Sequence, residues 1–182
     1  MSTQPHFEEA AKEWVKAHFK KEGAVFLHPI HRLDRPVNGL VLFARTSKAL
    51  SRLNEQMREG KIQRTYEAEV EGCLPQSEGA LEHYLVHGSH RALLSDASDS
   101  EAKSARLTYR VVQRDSSSTK ILIELQTGRY HQIRAQFAAI GHPVLGDQLY
   151  GAKRPAEKIS LRCQKLAFLH PTTKEQVVVE IP

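Results

Sequence analysis

Three short blocks hold most of the residues that could do chemistry. His31-Arg-Leu-Asp-Arg-Pro36 sets one carboxylate, Asp34, between Arg32 and Arg35, just ahead of the apolar run Gly39-Leu-Val-Leu-Phe-Ala44. A carboxylate flanked by cations stays ionised and is available as a nucleophile. A loop entering a rigid strand is where such groups are usually held. For an isolated Arg-Leu-Asp-Arg the plain alternative is a surface salt bridge. The second block is Leu125-Gln-Thr-Gly-Arg-Tyr-His-Gln-Ile-Arg134. Thr127-Gly128 reads as a turn before a helix, so Arg129 and His131 project near a helix N-terminus, where free N–H groups attract anions. Gln132 and Arg134 add polar reach. The alternative is an ordinary amphipathic helix with solvated charges and a buried stripe of Ile133, Phe137 and Ile140. The third block, Gly141-His-Pro-Val-Leu-Gly-Asp-Gln-Leu-Tyr-Gly151, crowds three glycines and a proline into one loop and implies a demanding backbone.

Elements that position these blocks can be read from periodicity. Residues 7–21 place Phe7, Ala11, Trp14, Val15 and His18 at helical spacing, with Glu8 and Glu9 at the start, Lys20 and Lys21 at the end and Gly23 as the stop. The run 39–44 predicts a strand buried on both faces. Ser47 is the expected N-cap of a helix over 48–59, with Leu50, Leu53 and Met57 on one face and Gly60 ending it. Residues 65–70 alternate strictly, with Tyr66, Ala68 and Val70 on one face. The small, polar stretch 88–104 predicts a surface loop. Leu107–Val112 and Lys120–Gln126 flank Asp115-Ser-Ser-Ser-Thr119 as a hairpin. A helix over 130–140 closed by Gly141 and a last strand over 177–181 complete the pattern. Hairpin-linked strands with a few helices predict an α+β domain around a largely antiparallel sheet.

Bulk properties narrow the class. The chain has 182 residues, 40% of them hydrophobic, which suits one domain with a real core. No apolar run reaches the length of about 18 residues that a membrane helix needs, and no secretory leader is visible. Cys73 and Cys163 stand far apart without metal-ligand spacing, so free thiols in a reducing cytoplasm are expected. Net charge is +5 and the pI about 9.3, a mild bias toward a polyanionic partner. His28/His31 and His87/His90 have i, i+3 spacing but no companion acidic or cysteine cluster, so no metal site is expected. Walker and dinucleotide fingerprints are missing, so no nucleotide cofactor is expected either.

Taken together, the three blocks resemble the RluA-type branch of RNA pseudouridine synthases, enzymes that isomerise uridine in ribosomal or transfer RNA. His31–Ala44 matches the family's His-Arg-Leu-Asp followed by Gly and a strand ending Phe-Ala. Thr127–Arg134 matches Thr-Gly-Arg-x-His-Gln-Ile-Arg, and Gly141–Gly151 matches Gly-His-Pro…Gly-Asp…Tyr-Gly. The likeness extends from Phe26 to Pro182. It implies the pseudouridine synthase catalytic fold, a mostly antiparallel mixed sheet flanked by helices, working on RNA without a cofactor. It also implies roles: Asp34 as the catalytic aspartate, Tyr66 stacking on the target base with its hydroxyl available to handle the C5 proton, and Arg129 pairing with the aspartate. Arg32 would fill the gap left by a flipped nucleotide, and Leu161 would line the pocket. Around them, His31, Arg35, His131, Gln132 and Arg134 are expected to contact substrate.

Two departures from the family pattern stand out. Asn38 occupies a position where the family often has Ser. Relatives usually begin with a strand and a Lys-Pro-x-Gly loop ahead of the first helix, and here only six residues precede that helix; no leading S4-type RNA-binding domain is seen either. A sheet lacking its first strand exposes unpaired N–H and C=O groups, so the expectation is either a true start upstream, or an edge covered by a homodimer or by a rearranged N-terminal helix. Other readings are an RNA-binding remnant of the fold with poor turnover, and an unrelated hydrolase. Glycoside hydrolysis usually employs two carboxylates, and the motifs give Asp34 no acidic partner.

Overall fold

The strict alternation at 65–70 becomes the middle of the molecule's main sheet. In chain order, the elements of the computed structural model are α1 (Phe7–His18), β1 (His28–Pro29), β2 (Asn38–Gly39), β3 (Phe43–Ala44), α2 (Ser47–Arg58), β4 (Gln63–Glu71), β5 (Glu78–His87), β6 (Ala92–Ser95), β7 (Lys103–Arg114), β8 (Ser118–Leu125), α3 (Gln132–Ala139), a 3-10 turn (Gln148–Tyr150), β9 (Leu161–Leu169) and β10 (Gln176–Glu180). The structure describes residues 7–182; the reading of the six residues ahead of α1 lies outside the described residues. None of the described helices is long and apolar enough to cross a membrane.

The sequence suggests one domain, and the chain groups into two compact units that interleave along it. The first holds residues 7–32, 41–62 and 168–177, the second 33–40, 63–167 and 178–182. In the first unit, Ala44, Leu53 and Ile62 are buried, with Ile30, Leu42, Leu50, Met57 and Phe168 packed against them. Thr46, not Ser47, caps α2: its backbone is extended and its hydroxyl accepts the Ala49 N–H at 3.1 Å, so the helix begins one residue earlier than its sequence suggests. Gly60 ends it with φ 69°. The α1 helix stops at His18, because Lys20 turns into the left-handed region (φ 48°), and only Val15 of its apolar stripe is buried.

The second unit is built on the sheet, ordered β10-β9-β4-β8-β7-β5-β6, with β2 added beside β9. Pairings of β4 with β8 and β9, β7 with β8, and β5 with β7 and β6 are antiparallel, whereas β2 runs parallel to β9, so this is an α+β fold on a mixed, mostly antiparallel sheet. Tyr66, Ala68 and Val70 are buried as their alternation requires, beside Ile121 and Ile123 of β8. Phe137 of α3 meets Tyr109 of β7 edge-on at 5.5 Å.

Two sequence expectations need correction. The apolar run 39–44 is not one strand buried on both faces. Gly39 pairs with β9 at φ 118°, and Phe43–Ala44 pairs with β1, while the residues between leave the ladder half-buried. Hydrophobicity overstated burial as well as misreading the pairing, since Ala44 alone of the run is buried and Gly39 is exposed. The stretch 88–104 is not wholly loop. Gly88 N–H closes a hairpin onto the Arg91 carbonyl, Ala92–Ser95 returns along β5 as β6, and β7 begins at Lys103. Ala92-Leu-Leu94, set among polar residues, is the strand signal within it.

Candidate active site

Asp34 opens a tight turn closed by the Val37 N–H on the Asp34 carbonyl (2.8 Å). The turn is tethered at its far end by β2, where Leu40 N–H bonds the Cys163 carbonyl of β9 at 2.9 Å. Gly39 is required there. A Cβ at that position would lie 2.2 Å from the Cys163 carbonyl oxygen, on a backbone that L side chains rarely adopt. The apolar run therefore delivers Asp34 by pinning its loop to the sheet.

Facing Asp34 is a buried ionic cluster on α3 and the loop after it. Arg134, 4% exposed, grips Asp147, 1% exposed, with two parallel bonds: Nε to Oδ2 at 2.7 Å and Nη2 to Oδ1 at 2.9 Å. Its remaining nitrogen, Nη1, lies 3.4 Å from Asp34 Oδ2 and 2.9 Å from His131 Nε2. Arg134 is nearly out of water, and burial alone would lower its pKa. The hydrogen-bonded Asp147 carboxylate, and then Asp34, outweigh that and raise it. The cation is thus permanent, and it holds one carboxylate rigidly while leaving the other at the rim. Asp34's side chain is 24% exposed, and among the described residues its Oδ1 has no hydrogen-bond partner.

His131 fixes the fourth side of the guanidinium. Its backbone is left-handed (φ 50°) at the start of α3, a costly conformation that turns the ring inward. Because Arg134 can only donate, His131 Nε2 must accept, so Nδ1 carries the hydrogen and gives it to the Tyr150 hydroxyl at 3.1 Å. Tyr150 also accepts the Ala92 N–H at 2.8 Å and donates to the Ala92 carbonyl at 3.3 Å, and Arg134 lies 5.0 Å over its ring. Burial first, with the adjacent Arg134 charge, pushes the His131 pKa down; Asp34 pulls the other way and does not prevail. The cluster therefore carries two carboxylates, one guanidinium and a neutral imidazole. Tyr150's own hydroxyl is pushed up to about 12, chiefly by burial.

Tyr66 stands on β4 opposite Cys163, the residue that also receives β2. It is buried, and burial followed by the Cys163 thiol drives its hydroxyl well above the ordinary tyrosine value; Asp34 adds to this in the same sense. Burial likewise pushes Cys163 up to about 11. Leu161 is buried beside Ala68.

This geometry coincides with a family. The family model described as RNA pseudouridylate synthase matches residues 1–139. The dual-specificity RNA pseudouridine synthase RluA of Pasteurella multocida is 33% identical over 98% of this chain and 81% of its own length. The chain belongs to the RNA pseudouridylate synthase family. That makes it an RNA pseudouridine synthase, an isomerase, of RluA type. The RluA protein of Yersinia pestis is 36% identical over 78% of this chain and 71% of that protein, and the ribosomal large subunit pseudouridine synthase D of Zymomonas mobilis is 32% identical over 81% and 50%. In fold, human RNA pseudouridylate synthase domain containing 4 superposes with a TM-score of 0.83 over all of this chain and 80% of that one, at 17% identity. Its human counterpart domain containing 1 gives 0.77 over 97% and 77%, at 23% identity.

Within this pseudouridine synthase, the structure brings Asp34, His131 and Arg134 together and leaves other expected site residues elsewhere. Arg134, not Arg129, is the arginine at Asp34. Arg129 is exposed, and its Nε donates to the Ser104 carbonyl at 2.8 Å. The intervening left-handed His131 separates the two directions. Gln132 is buried with its amide committed to the chain: Oε1 accepts from the Thr127 hydroxyl (2.7 Å) and the Arg129 N–H (3.0 Å), and Nε2 donates to the Arg106 carbonyl (3.0 Å). Arg35 is exposed. In the first unit, Arg32 is exposed and His31 accepts the Leu42 N–H at 3.2 Å. Sequence reasoning gave no role to Asp147, Tyr150 or Cys163. The first two lay in plain view in the Gly-Asp…Tyr-Gly pattern, a polar pair framed by glycines. Nothing local marks Cys163.

Proposed function

We propose that this chain isomerises uridine to pseudouridine in structured ribosomal or transfer RNA, with Asp34 as the catalytic carboxylate and no cofactor. The observation that carries the reading is the asymmetry of Asp34, whose Oδ2 faces a permanent cation and whose Oδ1 is free to meet the ribose. In the reaction the C1′–N1 bond breaks, the uracil turns, C1′–C5 forms, a proton leaves C5 and one returns to N1. The Arg134 guanidinium stands beside Asp34 whether that carboxylate attacks the sugar or removes its 2′ proton. Tyr66, kept protonated by its surroundings, serves best as an aromatic face for the detached base, with Leu161 as apolar wall. A uridine in folded RNA must be extruded first, at a few kcal/mol, which stacking and contacts from exposed cations such as Arg32, Arg35 and Arg129 offset. Of the relatives' names, one is a dual-specificity RNA enzyme and one a ribosomal large-subunit enzyme, and the second supports ribosomal RNA. Hydrolysis by two carboxylates is disfavoured, because Asp147, the other acid of the cluster, has both oxygens on Arg134. Association of two copies through a sheet edge is part of the same proposal, and β10 and β6 are the edges available among the described residues.

Asp34→Asn tests the central assignment. The variant should fold and bind RNA while forming no pseudouridine on RNA from cells lacking the gene. Near-normal product formation would remove Asp34 from the mechanism.

A further inference from the structure

A column of three rings leads out of the buried cluster. His131 stacks on Tyr130 at 3.9 Å between centroids and 23° between planes, and Tyr130 stacks on His87 at 4.2 Å and 20°. The inner ring touches Arg134, and so the group that holds Asp34. The middle ring is half-buried against the Leu85, Ala92, Ala105 and Ala135 cluster, with its hydroxyl donating to the His90 carbonyl at 3.3 Å. The outer ring, the last residue of β5, is exposed. Chemistry at Asp34 requires none of this, and the core needs no histidine at a strand end. Parallel, evenly spaced rings ending in an open one are the arrangement that an RNA-binding surface presents to a base.

We propose that His87 and Tyr130 form a stacking platform for a nucleobase that flanks the uridine bound at Asp34. The inference rests on the reading above and names a second subsite of the same interface. Two arginines lie close to the column in sequence: Arg91 follows His87 in the hairpin turn, with Nη1 donating to the Leu149 carbonyl at 3.3 Å, and Arg129 precedes Tyr130. These suit the phosphates on either side of a stacked base. Stacking on an imidazole face reads no base edge, so the platform tolerates any base and contributes affinity and register rather than sequence choice. It also accounts for an extruded uridine being held from its neighbour's side, since the base that stays on the column is the one the target leaves.

The test uses the full chain and a synthetic RNA hairpin carrying the uridine that pseudouridine mapping identifies, with 2-aminopurine at each neighbouring loop position in turn. Stacking should quench the probe at one neighbour on binding wild-type protein. His87→Ala should abolish that quenching and raise Kd and KM about fivefold to tenfold, with a much smaller change in kcat. His87→Phe should restore both, because a stacking role needs the ring and not its nitrogens. Unchanged quenching and KM in His87→Ala, or a His87→Phe variant as impaired as alanine, overturns the platform while leaving the isomerase reading intact. If wild-type protein forms no pseudouridine in any cellular RNA, the functional reading falls first and the platform with it.

Discussion

The first and third helices of this chain invert what their sequences suggest. By pattern, α1 is a good amphipathic helix, with acids in its first turn and bases in its last, yet Phe7 and Trp14 are exposed and Val15 alone is buried. By the same rules α3 is poor, with Arg134, Gln132 and Gln136 scattered round it, yet residues 132–137 are all buried. Apolar residues outside cost little, whereas polar residues inside are tolerated only when every group is partnered. Gln132 shows the rule, its Oε1 accepting from the Thr127 hydroxyl and the Arg129 N–H and its Nε2 donating to the Arg106 carbonyl. The departure from periodicity in α3 therefore marks the place where structure was spent on chemistry.

If that contrast is right, the largest effect lies in the buried pair. Asp147→Ala should leave the buried Arg134 charge with only its longer ionic contact to Asp34 and cost about 3–5 kcal/mol in denaturant unfolding. Pairing it with Arg134→Leu should recover much of the stability and none of the pseudouridine formation, because an apolar pair fills the space without setting a cation beside Asp34. A double variant as unstable as the single would mean that the pair itself, not the orphaned charge, stabilises α3.

Next comes Gln132→Leu. It leaves the Thr127 hydroxyl, the Arg129 N–H and the Arg106 carbonyl without their amide partner, at about 1–3 kcal/mol. Glu13→Ala on α1, an exposed polar change, should stay within about 0.5 kcal/mol. Equal losses at the two sites would erase the distinction between the helices.

These partners explain what the sequence made legible. Alternation exposed β4 because one of its faces is buried, and the 115–119 turn exposed the β7–β8 hairpin because turn chemistry is local. Arg129 and Arg134 read alike, since both lie near one helix start. Choosing between them required the left-handed His131, which no pattern announces at a non-glycine residue. Arg134 and Asp147 are thirteen residues apart, and their pairing depends on how the loop between folds back. The run 39–44 misled for a related reason: apolar character says neither how fully residues are covered nor which strand covers them.

A smaller effect is expected from pH. His131 is held neutral in the folded state, with its pKa below the ordinary value of 6.5. The unfolded chain therefore binds more protons as pH falls below 6.5, so folding stability should decline between that value and the lower folded one, by at most about 1.4 kcal/mol per pH unit. Above 6.5 both states are neutral and this contribution is flat. His131→Asn should remove the slope; unfolding midpoints across pH 5–8 that are parallel for wild type and variant would show that some other group titrates.

The sharpest test of α1 sets neighbours of opposite fate side by side. Val15 is 7% exposed and Trp14 61%. Trp14 rests on His18 at 4.6 Å and meets Phe19 edge-on, with the Arg45 guanidinium 4.1 Å over the Phe19 ring, so its contacts are with other surface groups. Val15→Ala deletes buried methyls and should cost about 2 kcal/mol, while Trp14→Ser, the far larger change in hydrophobicity, should cost under about 1 kcal/mol. Both are read as unfolding free energies at low protein concentration. A rise in the Trp14→Ser cost with protein concentration, together with a heavier species in light scattering of the wild type, would mean that a second copy covers this face. In that case α1's stripe is buried after all, between chains rather than within one, and its exposure here belongs to the monomer.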